Sequence, residues 1–114
     1  MFEFSNNSDY EIWGGIMVFN HSFNNPLYNK IYNDMNKVVQ IQFGKCFNQV
    51  IDWNKIPNNI KIIDFGIDYS QKISSLPNQY LRIFLHKSYC KNNCLPYGKI
   101  SLKNNQDEII ASFF

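Results

Sequence analysis

The chain has 114 residues, 45% of them apolar, only 18% charged, and a formal net charge of +2. That size fits one modest domain, and the composition excludes a disordered chain and a polybasic binder of nucleic acid or anionic membrane. The longest apolar stretch, Ile12 to Phe19, is interrupted by Gly14 and Gly15 and is too short to span a bilayer, so a soluble protein is expected.

Residues 1–15 carry Phe2, Phe4, Tyr10, Ile12 and Trp13 and read as an N-terminal cap segment. The first seven residues hold neither a basic region nor an apolar core, so no secretion signal is expected. A strand is expected near 17–19. Beyond it, Leu27, Ile31 and Met35 recur at helical spacing, with Pro26 suited to a first turn and Asn25 to a cap. One short helix is expected near 27–35.

From residue 39 onward the chain repeats itself. At an offset of 22, Ile41-Gln42-Phe43-Gly44 falls on Ile63-Asp64-Phe65-Gly66, Phe47 on Tyr69, Gln49 on Gln71 and Ile51 on Ile73. At an offset of 20, Ile56-Pro57-Asn58 falls on Leu76-Pro77-Asn78, and Ile60 on Tyr80. Within Val39-Gln40-Ile41-Gln42-Phe43, apolar and polar residues alternate, which marks a strand with one buried face. Ile83-Phe84-Leu85 with Tyr89, and then Ile100-Ser101-Leu102, continue the pattern downstream; Met17-Val18-Phe19 with Phe23 continues it upstream. Gly44 and Gly66 are expected to turn the chain out of each strand, and Pro57 and Pro77 to break structure before the next.

The motif Phe43-Gly44, Phe47-Asn48-Gln49, Ile51, Ile56-Pro57-Asn58-Asn59-Ile60 resembles the FNIP repeat family. So does its copy, Phe65-Gly66, Tyr69, Gln71, Ile73, Leu76-Pro77-Asn78. FNIP repeats are units of ~22 residues found in social amoebae and in giant viruses that infect amoebae. The resemblance spans about residues 17–102 and is strongest over 39–85. Val50 and Lys72 stand where the family has proline, and Ser70 where it has Asn. The resemblance implies a mostly β fold, a short leucine-rich-repeat-like solenoid. Its parallel strands are expected near 17–19, 39–43, 61–65, 81–85 and 99–102. The solenoid is expected over 16–103, and 104–114 is either a C-terminal cap or an exposed apolar tail. Asn24, Asn48 and Ser70 are expected to bond backbone groups between neighbouring units.

Chemistry finds little support. Cys90 and Cys94 are three residues apart with His86 nearby, but no second ligand pair accompanies them. Neither Cys46 with His21 or His86, nor any spaced carboxylate pair, sits in a catalytic motif. Gly14-Gly15 lacks the pattern of a phosphate loop. No cofactor, no metal site and no enzyme are expected. Three cysteines without framework spacing predict reduced thiols and a cytoplasmic protein, in the host cytoplasm if the source is viral.

If Ile41, Phe43, Ile63, Phe65, Ile83 and Leu85 point inward, their neighbours point out. The outward middle column is then Val18, Gln42, Asp64, Phe84 and Ser101, preceded by Ile16, Gln40, Ile62, Arg82 and Lys99. The candidate partner-binding face is Gln42, Asp64, Arg82, Phe84 and His86, against the plainer reading of a solvated face with Arg82 paired to Asp64. The expected function is a protein-interaction module. In the family such repeats often follow an F-box, but no room for one is expected before residue 16. Two other readings stand: a carbohydrate-binding module using Phe84, Tyr97 or Trp53, and a decayed repeat fragment without a role of its own. No nucleic-acid or membrane partner is expected.

Overall fold

The computed structural model describes residues 8–74 and 76–113; Phe2 and Phe4 of the expected cap lie outside them. The described chain is mostly sheet: seven strands, in chain order across one sheet, and one short helix. The strands are β1 (Tyr10–Trp13), β2 (Ile16–Phe19), β3 (Gln40–Gln42), β4 (Ile62–Asp64), β5 (Arg82–His86), β6 (Lys99–Lys103) and β7 (Ile109–Phe113). From β2 to β6 every pairing is parallel.

The expectation of parallel strands holds only for this central block. β1 pairs antiparallel with β2, and β7 antiparallel with β6. The connections explain the difference. A tight turn returns the chain beside the strand it has just left, which forces antiparallel pairing, whereas parallel neighbours need a long crossover. Gly14, at φ +59°, and Gly15 make the first tight turn. Asn104 makes the second: its Oδ1 accepts from the backbone of Gln106 and of Glu108, and Asp107 takes φ 59°. The C-terminal segment thus folds back as a strand, yet Ile109, Ile110 and Phe113 stay exposed along it.

The parallel register places Ile41, Ile63, Ile83 and Ile100 side by side, all essentially buried. The next inward rung is aromatic. Phe19 stacks on Phe43 at 4.7 Å between ring centroids, and Phe43 on Phe65 at 5.3 Å. Leu85 and Leu102 continue the rung. Four residues after Phe19, Phe43, Phe65 and Leu85, the rings of Phe23, Phe47, Tyr69 and Tyr89 form a second column at 6.0, 5.8 and 6.4 Å, with planes within 8° of parallel. The columns interlock through Phe43–Phe47 at 4.1 Å and Phe65–Tyr69 at 4.0 Å. Each fully buried ring contributes roughly 1.5–3 kcal/mol by leaving water, and offset ring pairs add to that.

Between the columns the chain turns a tight corner. Gly44 and Gly66 serve here through their missing side chains; neither has a positive φ, contrary to the expected use of backbone freedom. A Cβ on Gly66 would lie 2.4 Å from the carbonyl oxygen of Gly44, and one on Gly44 2.6 Å from that of Asn20. Backbone bonds cross the corner from Cys46 N–H to His21 O and from Asp68 N–H to Lys45 O. Just beyond, Asn24 Oδ1 accepts from Asn48 N–H at 2.8 Å, and Asn48 Oδ1 from Ser70 N–H at 2.9 Å. Asn93 Nδ2 donates to Ser70 O, so the amide ladder runs one unit further than expected.

Three local expectations need correction. The helix spans Asn29–Asp34 and continues as a 3-10 turn to Lys37, so Pro26 lies outside it and Tyr28, not Asn25, occupies the cap position. Its buried residues are Ile31, Tyr32 and Asp34; Asp34 is held by Lys30, Lys37 and the Tyr10 hydroxyl, which ties β1 to the helix. Val39 is half exposed, because Val38 takes the buried place ahead of β3. Tyr80, aligned with the fully buried Ile60, points outward, and Leu81 fills the core there. Only 20 residues separate Ile62 from its β5 partner Arg82, against 22 between Gln40 and Ile62, and the buried residue ahead of β5 is Leu81, directly before the strand.

Two substitutions test this packing. Gly66→Ala forces backbone apart at the corner and is expected to destabilise the fold by about 1–3 kcal/mol in urea denaturation. Tyr69→Phe is expected to act the other way. The Tyr69 hydroxyl is buried without a hydrogen-bond partner among the described residues, burial pushes its pKa up, and Phe47 fills the equivalent place without one. Its removal is expected to raise stability by about 1 kcal/mol, and a lower denaturation midpoint contradicts the packing described.

Candidate partner-binding face

The outward face of the sheet follows from the register. Val18, Gln42, Asp64, Phe84 and Ser101 lie in one row, and Ile16, Gln40, Ile62, Arg82 and Lys99 in the row before it. Gln42 is exposed, and Asp64, Arg82 and Phe84 are partly exposed. His86 is not available to a partner: it is only 7% exposed. Its Nδ1 accepts from the backbone N–H of Ser88, capping the short 3-10 segment Lys87–Lys91. A backbone N–H only donates, so the ring proton sits on Nε2, which donates to Asn105 Oδ1 at 2.8 Å. His86 thereby fastens the β6–β7 turn to the end of the sheet.

That turn forms one wall of a groove of about 330 Å³, lined by Gln42, Asp64, Ile67, Lys103 and Asp107 among others. The groove brings together three of the five candidate residues, Gln42, Asp64 and His86; Arg82 and Phe84 lie outside it. The partner of Asp64 is Lys103, which the sequence reading did not single out; the plainer reading had placed Arg82 there. Lys103 shares the β6 rung beside His86, and its chain reaches across β5 to form a close ion pair with Asp64 Oδ1. Its ammonium also lies 3.5 Å from Asp107. Burial raises the Asp64 pKa, and Asp107 pushes it the same way; the Lys103 hydrogen bond and charge oppose them without fully offsetting burial. The net direction is upward, the mark of a carboxylate short of compensating charge.

Residues 47–88 match the family model described as FNIP Repeat. That segment carries the FNIP repeat. No curated protein matches the chain, and no solved structure does. The matched FNIP segment runs from the ring of Phe47 through β4 and β5 to the Ser88 that His86 caps. It therefore contains Asp64, Arg82, Phe84 and His86, but neither Gln42 nor Lys103.

The residues named for a carbohydrate platform are dispersed. Trp53 packs against the core with its ring 6.4 Å from that of Phe65, Tyr97 is 98% exposed, and neither they nor Phe84 line the groove. Cys90 and Cys94 are exposed free thiols and Cys46 is partly buried. Among the described residues, no three His, Cys, Asp or Glu side chains gather as a metal cradle. No described helix is long and apolar enough to cross a membrane.

Lys103→Met isolates the electrostatics. The ammonium and carboxylate side chains are 11% and 25% exposed, so the pair stands between a surface and a buried bridge. Its loss is expected to destabilise the fold by about 1–3 kcal/mol at neutral pH. Without Lys103 the Asp64 pKa rises further, and a raised pKa means that the folded chain holds the proton more tightly. The deficit is therefore present at neutral pH and shrinks as pH falls through the folded pKa of Asp64. Urea denaturation at pH 7 and at about pH 4 checks both the size and the sign.

Proposed function

We propose that this chain is a short leucine-rich-repeat-like solenoid that holds another protein on the outward face of its sheet and performs no chemistry of its own. One observation supports it above the rest. Five parallel strands in register display Gln42, Asp64, Arg82 and Phe84 in adjoining rows, with a groove at their end. A repeated surface of this kind offers a partner many evenly spaced contacts at low conformational cost, because the side chains stand on a stacked scaffold. Phe84 supplies apolar area and Arg82 a planar donor, two residue types enriched where interfaces concentrate their energy. The FNIP match supports a repeat module and is compatible with this use. Three free thiols suit a reducing compartment, and we place the protein in the cytoplasm.

Paired capture experiments test the proposal. Wild-type chain and the Arg82→Ala/Phe84→Ala variant are immobilised at equal density and exposed to the same amoeba lysate. The double variant is expected to retain its circular dichroism spectrum and to lose about tenfold or more of the specifically bound partner. Identical capture by the two proteins overturns the assignment of the face.

A further inference from the structure

We propose that the groove beside the β6–β7 turn receives a cationic side chain of the partner, arginine above all. The inference rests on the interaction reading just given and names the chemistry of the contact. The groove holds two carboxylates, Asp64 and Asp107, that share the single ammonium of Lys103. Lys103 engages Oδ1 of Asp64, and Oδ2 has no partner among the described residues. The Gln42 amide, on the same row of the sheet, is likewise unengaged among the described residues and offers a carbonyl acceptor.

The sign of the occupant follows from where each charge sits. Lys45 also lines the groove, but it is exposed and makes no ion pair among the described residues. His21 Nδ1 accepts from the Lys45 backbone N–H, and both ring nitrogens of His86 are committed to Ser88 and Asn105. The unsatisfied group nearest the floor is therefore an acceptor, the carboxylate of Asp64, whose side chain is three-quarters covered. At such a site a charge acts about four times more strongly than it does through bulk water, so Asp64 outweighs the solvated Lys45. An incoming anion meets repulsion from Asp64, whereas a cation supplies the charge that Lys103 divides between two acids. A guanidinium is favoured over an ammonium because its planar fork reaches two acceptors at once. Ile67 and the rims of Phe43 and Phe65, also in the lining, give the aliphatic stem an apolar wall.

The test uses the whole chain, labelled with nitrogen-15 and titrated with acetyl-Gly-Arg-Gly-amide. The citrulline peptide, equal in shape and uncharged, and the glutamate peptide serve as comparisons. Saturable shifts are expected at the backbone amides of Gln42, Ile67 and Asp107, with affinity falling about fivefold or more for citrulline. Asp107 lies on an exposed turn at φ 59°, a conformation that asparagine also tolerates, so Asp107→Asn removes one charge while keeping the turn. That variant is expected to bind the arginine peptide about fivefold more weakly with an unchanged melting temperature. A flat titration overturns the proposal. So does an equal response to citrulline or glutamate, or an Asp107→Asn variant that binds as wild type. The sheet-face reading is judged by its own capture experiment. Capture lost in the Arg82→Ala/Phe84→Ala variant together with a flat arginine titration removes the cation site and leaves the face.

Discussion

The stacking of flat rings at a fixed rise governs this structure. Neighbouring strands lie about 4.8 Å apart, and the inner column of rings, at 4.7 to 5.3 Å, repeats close to that interval. The outer column, beyond the strands, is wider, with centroid spacings of 5.8 to 6.4 Å. The glycine corner lies between the two columns in sequence and lets successive backbones touch there. Side chains set the spacing on either side of the corner, and the lack of a side chain sets it at the corner itself. The amide ladder of Asn24, Asn48 and Ser70 then satisfies the backbone donors exposed where the chain bends.

Much of this arrangement was readable from the chain. The offset relating Phe43 to Phe65 depends only on residue types, and a repeated apolar rung has few ways to be buried other than beside its copy. Register followed for the same reason, since a shift by one residue would turn every inward side chain outward. The end strands were harder to see. Tyr10–Trp13 and Ile109–Phe113 carry no copy of the motif, and their pairing is set by tight turns at Gly14-Gly15 and Asn104–Asp107. The helix was misplaced by two residues because proline marks a permissible first turn without requiring one.

The face was legible in its rows and illegible in its charges. Alternation within β3 and β5 assigns Gln42, Arg82 and Phe84 to the outside, where Gln42 is exposed and Arg82 and Phe84 are partly so. The ion pair of Asp64 with Lys103 joins residues 39 positions apart and skips the intervening strand, so no local pattern announces it. His86 shows the opposite failure. It sits on the outward side of the strand in sequence, yet the turn after β6 closes over it through Asn105. Exposure at the end of a sheet depends on what the next connection does, and that is a tertiary fact.

The two antiparallel hairpins at the margins bear on how such a chain changes length over time. Each hairpin joins the parallel block through one strand, β2 at one margin and β6 at the other, and the second also holds His86 of β5 through Asn105 and Asp64 of β4 through Lys103. The units of β3 and β4 carry the same ring and glycine, Phe43-Gly44 and Phe65-Gly66, and each has a polar residue in the ladder, Asn48 and Ser70. Copying or deleting the unit around β3 therefore leaves those contacts in place, whereas the same change between β4 and β6 breaks them. The row can thus change length at its near side while the far margin keeps the contacts that fasten it.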